Sequence, residues 1–179
     1  MTSTLHSTAL PTGTWTLVPD ATTVHAAVRK LLVVDAPASI ELVSGSVVVD
    51  ADGDVVEIEA LFDAASYDSG NVKRDAWATG PSCLDAAAHP HVGFRSRDVR
   101  VGTDETVAVG TVRVKGVDTA VLIDVSELRV DDDVATVRAS VVIDRKAVGL
   151  GAYPSALIAR RIPITITAQA QRTSDTAPT

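Results

Sequence analysis

An all-β fold is what this 179-residue sequence predicts, in the form of an extended eight-stranded antiparallel barrel carrying one short helical insert at about 66–88. Three observations carry the prediction. Apolar residues recur with a period of two over long stretches, the spacing that puts alternate side chains on opposite faces of a strand. Short runs of turn-forming residues separate those stretches. The alternation is broken by a crowded polar segment only once, near the middle of the chain.

The elements follow in order. Residues 1–13 are Thr- and Ser-rich and aperiodic, and so is "RTSDTAPT" at 172–179; both read as flexible tails around a single domain at 14–171. "TWTL" (14–17) is a short strand. "TVHAAVRKLLVV" (23–34) sets Val24, Ala26 and Val28 against His25 and Arg29, and "SIELVSGSVVVD" (39–50) follows. The stretch from residue 54 sets Val56, Ile58, Ala60, Phe62 and Ala64 against Glu57, Glu59 and Asp63. Four more alternating runs occupy 91–101, 105–116, 119–130 and 134–145, and "ALIARRIPITITAQA" (156–170) closes the domain. The separators are "ADGD" (51–54), "GTD" (102–104), "KGVD" (115–118) and "DDD" (131–133), the last reading as a solvated hairpin tip. Pro163 cannot donate to a ladder, so it is expected at a bulge or where the last strand begins its pairing. With "TWTL" included, about eight strands stand in hairpin order. Ten to twelve residues at about 3.3 Å each reach roughly 33–40 Å, and long strands with one apolar face must curl into a sandwich or close into a barrel.

The polar interruption reads as a helical excursion. Asp68 or Ser69 offers an N-cap, "GNVKRDAWAT" (70–79) makes about two turns with Val72, Ala76 and Trp77 near one side, and Gly80-Pro81 ends it. "SCLDAAAHP" (82–90) is a second short piece stopped by Pro90. Such an insert can cover one mouth of a barrel, with Trp77 as its apolar contact.

Composition narrows the function. Hydrophobic residues make up 46% of the chain, but aromatics only 3%, namely Trp15, Phe62, Tyr67, Trp77, Phe94 and Tyr153. The interior must therefore be filled by Val, Ile, Leu and Ala, a composition compatible with a hollow core and with an interlocked one. A net charge of −7 argues against a nucleic-acid partner and against electrostatic binding to an anionic bilayer. The single cysteine, Cys83, excludes an intramolecular disulfide. Residues 1–14 carry no basic and apolar leader pattern, and no run of 18 apolar residues exists. The expectation is a cytoplasmic protein without stable membrane insertion and without a cofactor.

The motif "DAASYDSGNVKRDAWATGPSCLDAAAHPHVGFRSRDV" (63–99) resembles the signature of the YceI-like family of lipocalin-like, polyisoprenoid-binding proteins, roughly "aaSidTgn..RD.hLrs.dFfd...hP.i.F.St.v". "GTWTLVPDATTVHAAVRKLLV" (13–33), "VGTVRVKGVDTAVLIDV" (109–125) and "SVVIDRKAVGL" (140–150) are similar to three further segments of that family, in the same order. The resemblance covers about residues 13–170. It implies a lipocalin-like barrel with a long apolar channel that takes an isoprenoid or similar chain, and pairing into a homodimer. Several bulky family positions hold other residues here: Ala26 for an aromatic, Ser82-Cys83-Leu84 for "dFf", Ala76-Trp77 for "HL" and Val148 for a Phe. These changes leave both an altered channel and a filled core open.

Strand parity gives the inward rows: Val24, Ala26, Val28; Val56, Ile58, Ala60, Phe62; Val92, Phe94, Ser96; Val112, Val114; Val121, Ile123, Val125; Val137, Ala139, Val141, Ile143; and Ile162, Ile164, Ile166. Nearly all are aliphatic, so no polar row exists to orient a hydrophilic ligand. Candidate chain-binding residues are Ala26, Val28, Ile58, Ala60, Phe62, Phe94, Val112, Ile123, Val137, Ala139, Val141 and Ile164, joined by Trp77. Arg74 is expected first to tie the helix to neighbouring carbonyls or carboxylates; it and Arg145, a barrel-rim residue, are also the candidates for meeting a head group. The expected function is a non-enzymatic carrier for a linear apolar lipid such as an isoprenoid quinone, a polyprenyl chain or a fatty amide. The alternatives are a filled barrel acting as an interaction or stress protein, and a small metal-dependent enzyme around His89, His91 and Cys83. Metal sites usually need three or four ligands, and His6 and His25 are far away in sequence. No Ser/His/Asp or paired-carboxylate arrangement stands out. "GLG" at 149–151 lacks the strand–helix unit of a dinucleotide loop.

Overall fold

The computed structural model describes residues 10–30, 34–101, 105–151 and 158–173. Among them nine strands form one antiparallel sheet: β1 (Gly13–Leu17), β2 (Thr23–Lys30), β3 (Val34–Val49), β4 (Val55–Asp68), β5 (His91–Val101), β6 (Thr106–Val114), β7 (Val117–Asp131), β8 (Val134–Asp144) and β9 (Arg161–Arg172). From β2 to β9 each strand pairs with the next, and β9 returns to β2, which closes an eight-stranded barrel. The predicted lipocalin-like barrel is therefore the fold observed. The extra strand is β1. It pairs with β3 through Trp15–Val47 and with β9 through Trp15–Arg172, the same two neighbours that β2 uses further along, at Val24–Ile40 and Val24–Ile166. β1 and β2 thus fill one slot in tandem, interrupted by a 3-10 turn at Pro19–Ala21. This is why "TWTL" adds a segment without widening the barrel.

Two strand boundaries differ from the sequence reading. β2 stops at Lys30 and β3 starts at Val34, ahead of the expected residue 39. The continuous apolar run gives no sign of where one strand ends and the next begins, and residues 31–33 lie outside the described residues. Pro37 sits inside β3 opposite Ala27, in a part of the strand beyond the reach of β4, whose pairing ends at Ser39–Asp68. Pro163 lies within β9, already opposite Val142 of β8 and without a bulge, but one residue before the pairing with β2 starts at Ile164–Ala26, so the expectation holds for only one of its two ladders. Asp131, Asp132 and Asp133 are exposed, with Asp132 at φ +52°, consistent with a solvated hairpin tip.

β4 also outruns its reading, because its polar end still belongs to the sheet. Its register against β3 jumps between Ser39–Asp68 and Glu41–Asp63. There the Ser66 hydroxyl substitutes for a ladder partner, accepting from the Glu41 amide at 2.8 Å and donating to the Asp63 carbonyl at 2.6 Å. The helical insert then begins with α1 (Val72–Thr79). Its N-cap is Asn71 rather than Asp68 or Ser69: the Asn71 side chain accepts from the Arg74 amide at 3.1 Å, while Asp68 accepts from Gly70 in a local turn. Gly80 ends the helix. Its buried side is Ala78 with half-buried Trp77, whereas Val72 is 84% exposed and Ala76 is exposed, so the expected Val72–Ala76–Trp77 face is not the packed one. Among the described residues no helix is long and apolar enough to cross a membrane.

Candidate ligand cavity

The barrel is packed at both ends and open between them. At the end where β1 begins, Trp15 is 0% exposed and clusters with Val49, Ala135 and Ala170. Its indole Nε1 donates to the Pro11 carbonyl at 3.0 Å, so burial leaves no polar atom unpaired. At the α1 end, Ala64, Leu84, Val114, Val141, Ile143 and Val148 form a second cluster. Between them lies a space of about 430 Å³, lined almost wholly by apolar side chains, within the size range of small-ligand sites. Ile58, Phe62, Phe94, Ile123, Val137 and Ile164 face this space and are only partly buried. An interlocked core would have covered them.

All thirteen residues singled out as chain-binding line the cavity: Ala26, Val28, Ile58, Ala60, Phe62, Trp77, Phe94, Val112, Ile123, Val137, Ala139, Val141 and Ile164. Three members of the inward rows do not, each for a local reason. A register shift at Val48–Val49 turns Val55 inward in place of Val56, which is 41% exposed. Ser96 stands at the β5 bulge, 2% exposed, where its hydroxyl donates to the Val109 carbonyl at 2.8 Å and accepts from the Asp98 amide at 3.3 Å. Val121 packs against the α1-end cluster instead. One glycine shapes the wall directly. A Cβ on Gly110 would sit 2.5 Å from Phe94 Cε2 and 2.6 Å from the Arg95 carbonyl, so only glycine lets the Phe94 ring approach β6 this closely.

The two arginines expected at the rim have other work. Arg74 Nε reaches the Ser69 hydroxyl at 3.2 Å and Nη2 the Ser69 carbonyl at 2.9 Å. Asp75, adjacent in sequence, accepts from the same Ser69 through its hydroxyl at 2.5 Å and its amide at 2.9 Å. The pair clamps one serine at the corner between β4 and α1, and Arg74 does not line the cavity. Arg145 does line it, yet it is 3% exposed and donates to the carbonyls of Leu150, Ile158 and Ala159 at 2.9, 3.1 and 3.2 Å. It holds the chain that leads from β8 towards β9.

Cys83 is half-buried and lines the cavity, and burial pushes its thiol above the ordinary range, which disfavours a thiolate nucleophile. His91 is exposed at the start of β5, His89 is half-buried, and no group of three or more metal-ligating side chains exists among the described residues. Two aromatic lining residues stand out among those outside the predicted inward rows. Trp15 plugs one end, and Tyr67 faces the cavity at the other. Parity alone missed Tyr67 because it follows the irregular stretch of β4.

The model of the YceI-like domain family matches residues 15–170. Burkholderia cenocepacia BcnA superposes with a TM-score of 0.77 at 19% identity, covering 87% of this chain and 99% of that one. A polyisoprenoid-binding domain from Saccharophagus degradans, implicated in plant cell wall breakdown, gives a TM-score of 0.66 at 12% identity over 89% and 98%. The Campylobacter jejuni YceI protein gives 0.63 at 16% identity over 79% and 88%. Comparison with curated proteins finds no match. Identities this low speak for the fold alone, but the family match spans nearly the whole barrel, and on that ground the chain belongs to the YceI-like family.

Proposed function

We propose that this protein is a non-enzymatic carrier or sequestering protein that holds a linear apolar chain, such as an isoprenoid quinone, a polyprenyl lipid or a fatty amide, inside the barrel. The observation that carries the reading is the apolar cavity on whose wall Ile58, Phe62, Phe94, Ile123, Val137 and Ile164 stay only partly covered. The polyisoprenoid-binding character of the Saccharophagus degradans domain supports the same class of ligand.

The energetics favour chain over head as the source of affinity. At about 30 Å³ per water-sized group, the space accommodates roughly 14 such groups. Each buried CH₂ contributes about 0.8 kcal/mol, against about 1 kcal/mol for one neutral hydrogen bond. Selectivity among chains then comes from channel length and shape.

Native mass spectrometry of the purified protein, before and after organic extraction, tests this reading. The expected result is a mass excess that extraction removes and a prenyl lipid restores. Protein that never carries lipid and takes none up would overturn it.

A further inference from the structure

Within an apolar cavity the few polar side chains decide which way a ligand lies. Most of those along this one are accounted for. The Thr22 hydroxyl donates to the Val18 carbonyl at 2.8 Å, Arg145 is held by three carbonyls, and Trp77 has a partner of its own. Ser39 shares a rung with exposed His25 and so points outward. Three groups remain: Tyr67 and Thr106, whose side chains have no hydrogen-bond partner among the described residues, and Cys83, whose sulfur accepts from the Leu84 amide while its own hydrogen has no acceptor there. No fully buried side-chain nitrogen or oxygen there lacks a partner, so the Tyr67 oxygen keeps accessible surface. Tyr67 and Cys83 pack against the same α1-end cluster and lie close enough to influence each other electrostatically. Thr106, opposite inward-facing Val125, stands alone towards the Trp15 end.

We propose that the Tyr67 hydroxyl, with the Cys83 thiol beside it, receives the polar head of the bound lipid, and that this head is a neutral hydrogen-bond acceptor such as a quinone or amide carbonyl. The proposal rests on the carrier reading above and adds the orientation and class of the ligand: head beneath α1, tail towards Trp15. Both groups stay protonated at neutral pH, since burial raises the phenol and the thiol, so both offer hydrogens. An anionic head fits poorly. Arg74 is engaged by Ser69, Arg145 by backbone carbonyls, and Lys115 Nζ by the Pro81 carbonyl at 3.0 Å. Burial, Cys83 and the Asp75 carboxylate together oppose a negative charge at Tyr67 more than Arg74 favours one, and at Cys83 burial outweighs Lys115 and Arg145.

The test compares three probes of equal prenyl length on the full chain: a prenyl quinone, a prenyl hydrocarbon and a prenyl monophosphate. Binding is measured for wild type, Tyr67→Phe and Thr106→Val. Tyr67→Phe is expected to weaken the quinone by about 3- to 10-fold, the span of one neutral hydrogen bond, and to leave the hydrocarbon unchanged. The monophosphate is expected to bind wild type less tightly than the quinone. Undiminished quinone binding by Tyr67→Phe, loss in Thr106→Val instead, or tighter binding of the monophosphate would each overturn the head assignment while the carrier reading stood. Wild-type protein that took up none of the probes would contradict the carrier reading itself, and this proposal with it.

Discussion

At the end of the barrel where the chain begins, one aromatic side chain does most of the closing; beneath α1, small aliphatic residues share the task with a buried arginine. Trp15 is enclosed on all sides by Val49, Ala135, Ala170 and their neighbours. The α1 end is composite: Leu84 comes from the insert, Val148 from the turn after β8, and Arg145 fastens that connection through backbone carbonyls. A single large plug concentrates stabilisation in one residue, whose own donor is spent on the Pro11 carbonyl. A composite closure spreads it out, and here it leaves a hydroxyl and a thiol on the cavity side. On the proposal made above, the difference gives the channel one end closed by a single ring and one end at which a polar head is received.

Substitutions can break that contrast at either end. Trp15→Ala should have the largest effect, about 3–5 kcal/mol, because both transfer energy and cavity cost are lost at a fully enclosed site. Urea unfolding should show a lower midpoint. Arg145→Leu should follow at about 2–3 kcal/mol, since the carbonyls of Leu150, Ile158 and Ala159 lose a charged donor yet part of that loss is recovered by hydration. Its mark should be local, with faster hydrogen exchange at the Leu150 amide, which donates to the Arg145 carbonyl at 2.7 Å. Between the ends, Gly110→Ala should cost about 1–3 kcal/mol by displacing the Phe94 ring from the wall.

The smallest expected effect is a pH dependence confined to the α1 end. Tyr67 and Cys83 hold their protons to higher pH in the folded protein than in the unfolded chain, mainly because burial penalises their charged forms. Between the unfolded and folded values the unfolded chain binds fewer protons, so stability falls as pH rises. Their contribution is complete at neutral pH and declines from about pH 8.5 for the thiol and about pH 10 for the phenol. Melting temperatures measured from pH 8 to 11 should drop less steeply in Tyr67→Phe and Cys83→Ala than in wild type. An unaltered slope in both would mean that these groups are hydrated in the folded state.

Much of this was legible in the sequence. Period-two alternation fixed which residues face inward wherever a strand runs regularly, and for that reason the residues from Ala26 to Ile164 fell where parity placed them. Parity failed at bulges, because one extra residue inverts every side chain beyond it. Val56 was misplaced this way, Ser96 became a bulge post, and Tyr67 stood hidden behind the irregular stretch of β4. The helix cap was missed for a related reason: Asp68, Ser69 and Asn71 are all good capping residues, and only the path of the chain leaving β4 decides among them. The structural role expected of Arg74 is the one seen at Ser69, but which backbone carbonyls gather around Arg145 is decided by the path of the folded chain and is not written in the sequence.

The central claim, that the space between the two closures holds an apolar chain, is tested most directly by Ala139→Trp. Ala139 lines the middle of the cavity from β8, paired with Val125 and Ile166, and its side chain points into the open space. An indole there should fill the lumen without disturbing the ladder. The account predicts a folded variant, with the circular dichroism of wild type, that binds a prenyl hydrocarbon at least tenfold more weakly. A folded Ala139→Trp protein that binds the hydrocarbon as tightly as wild type would contradict it.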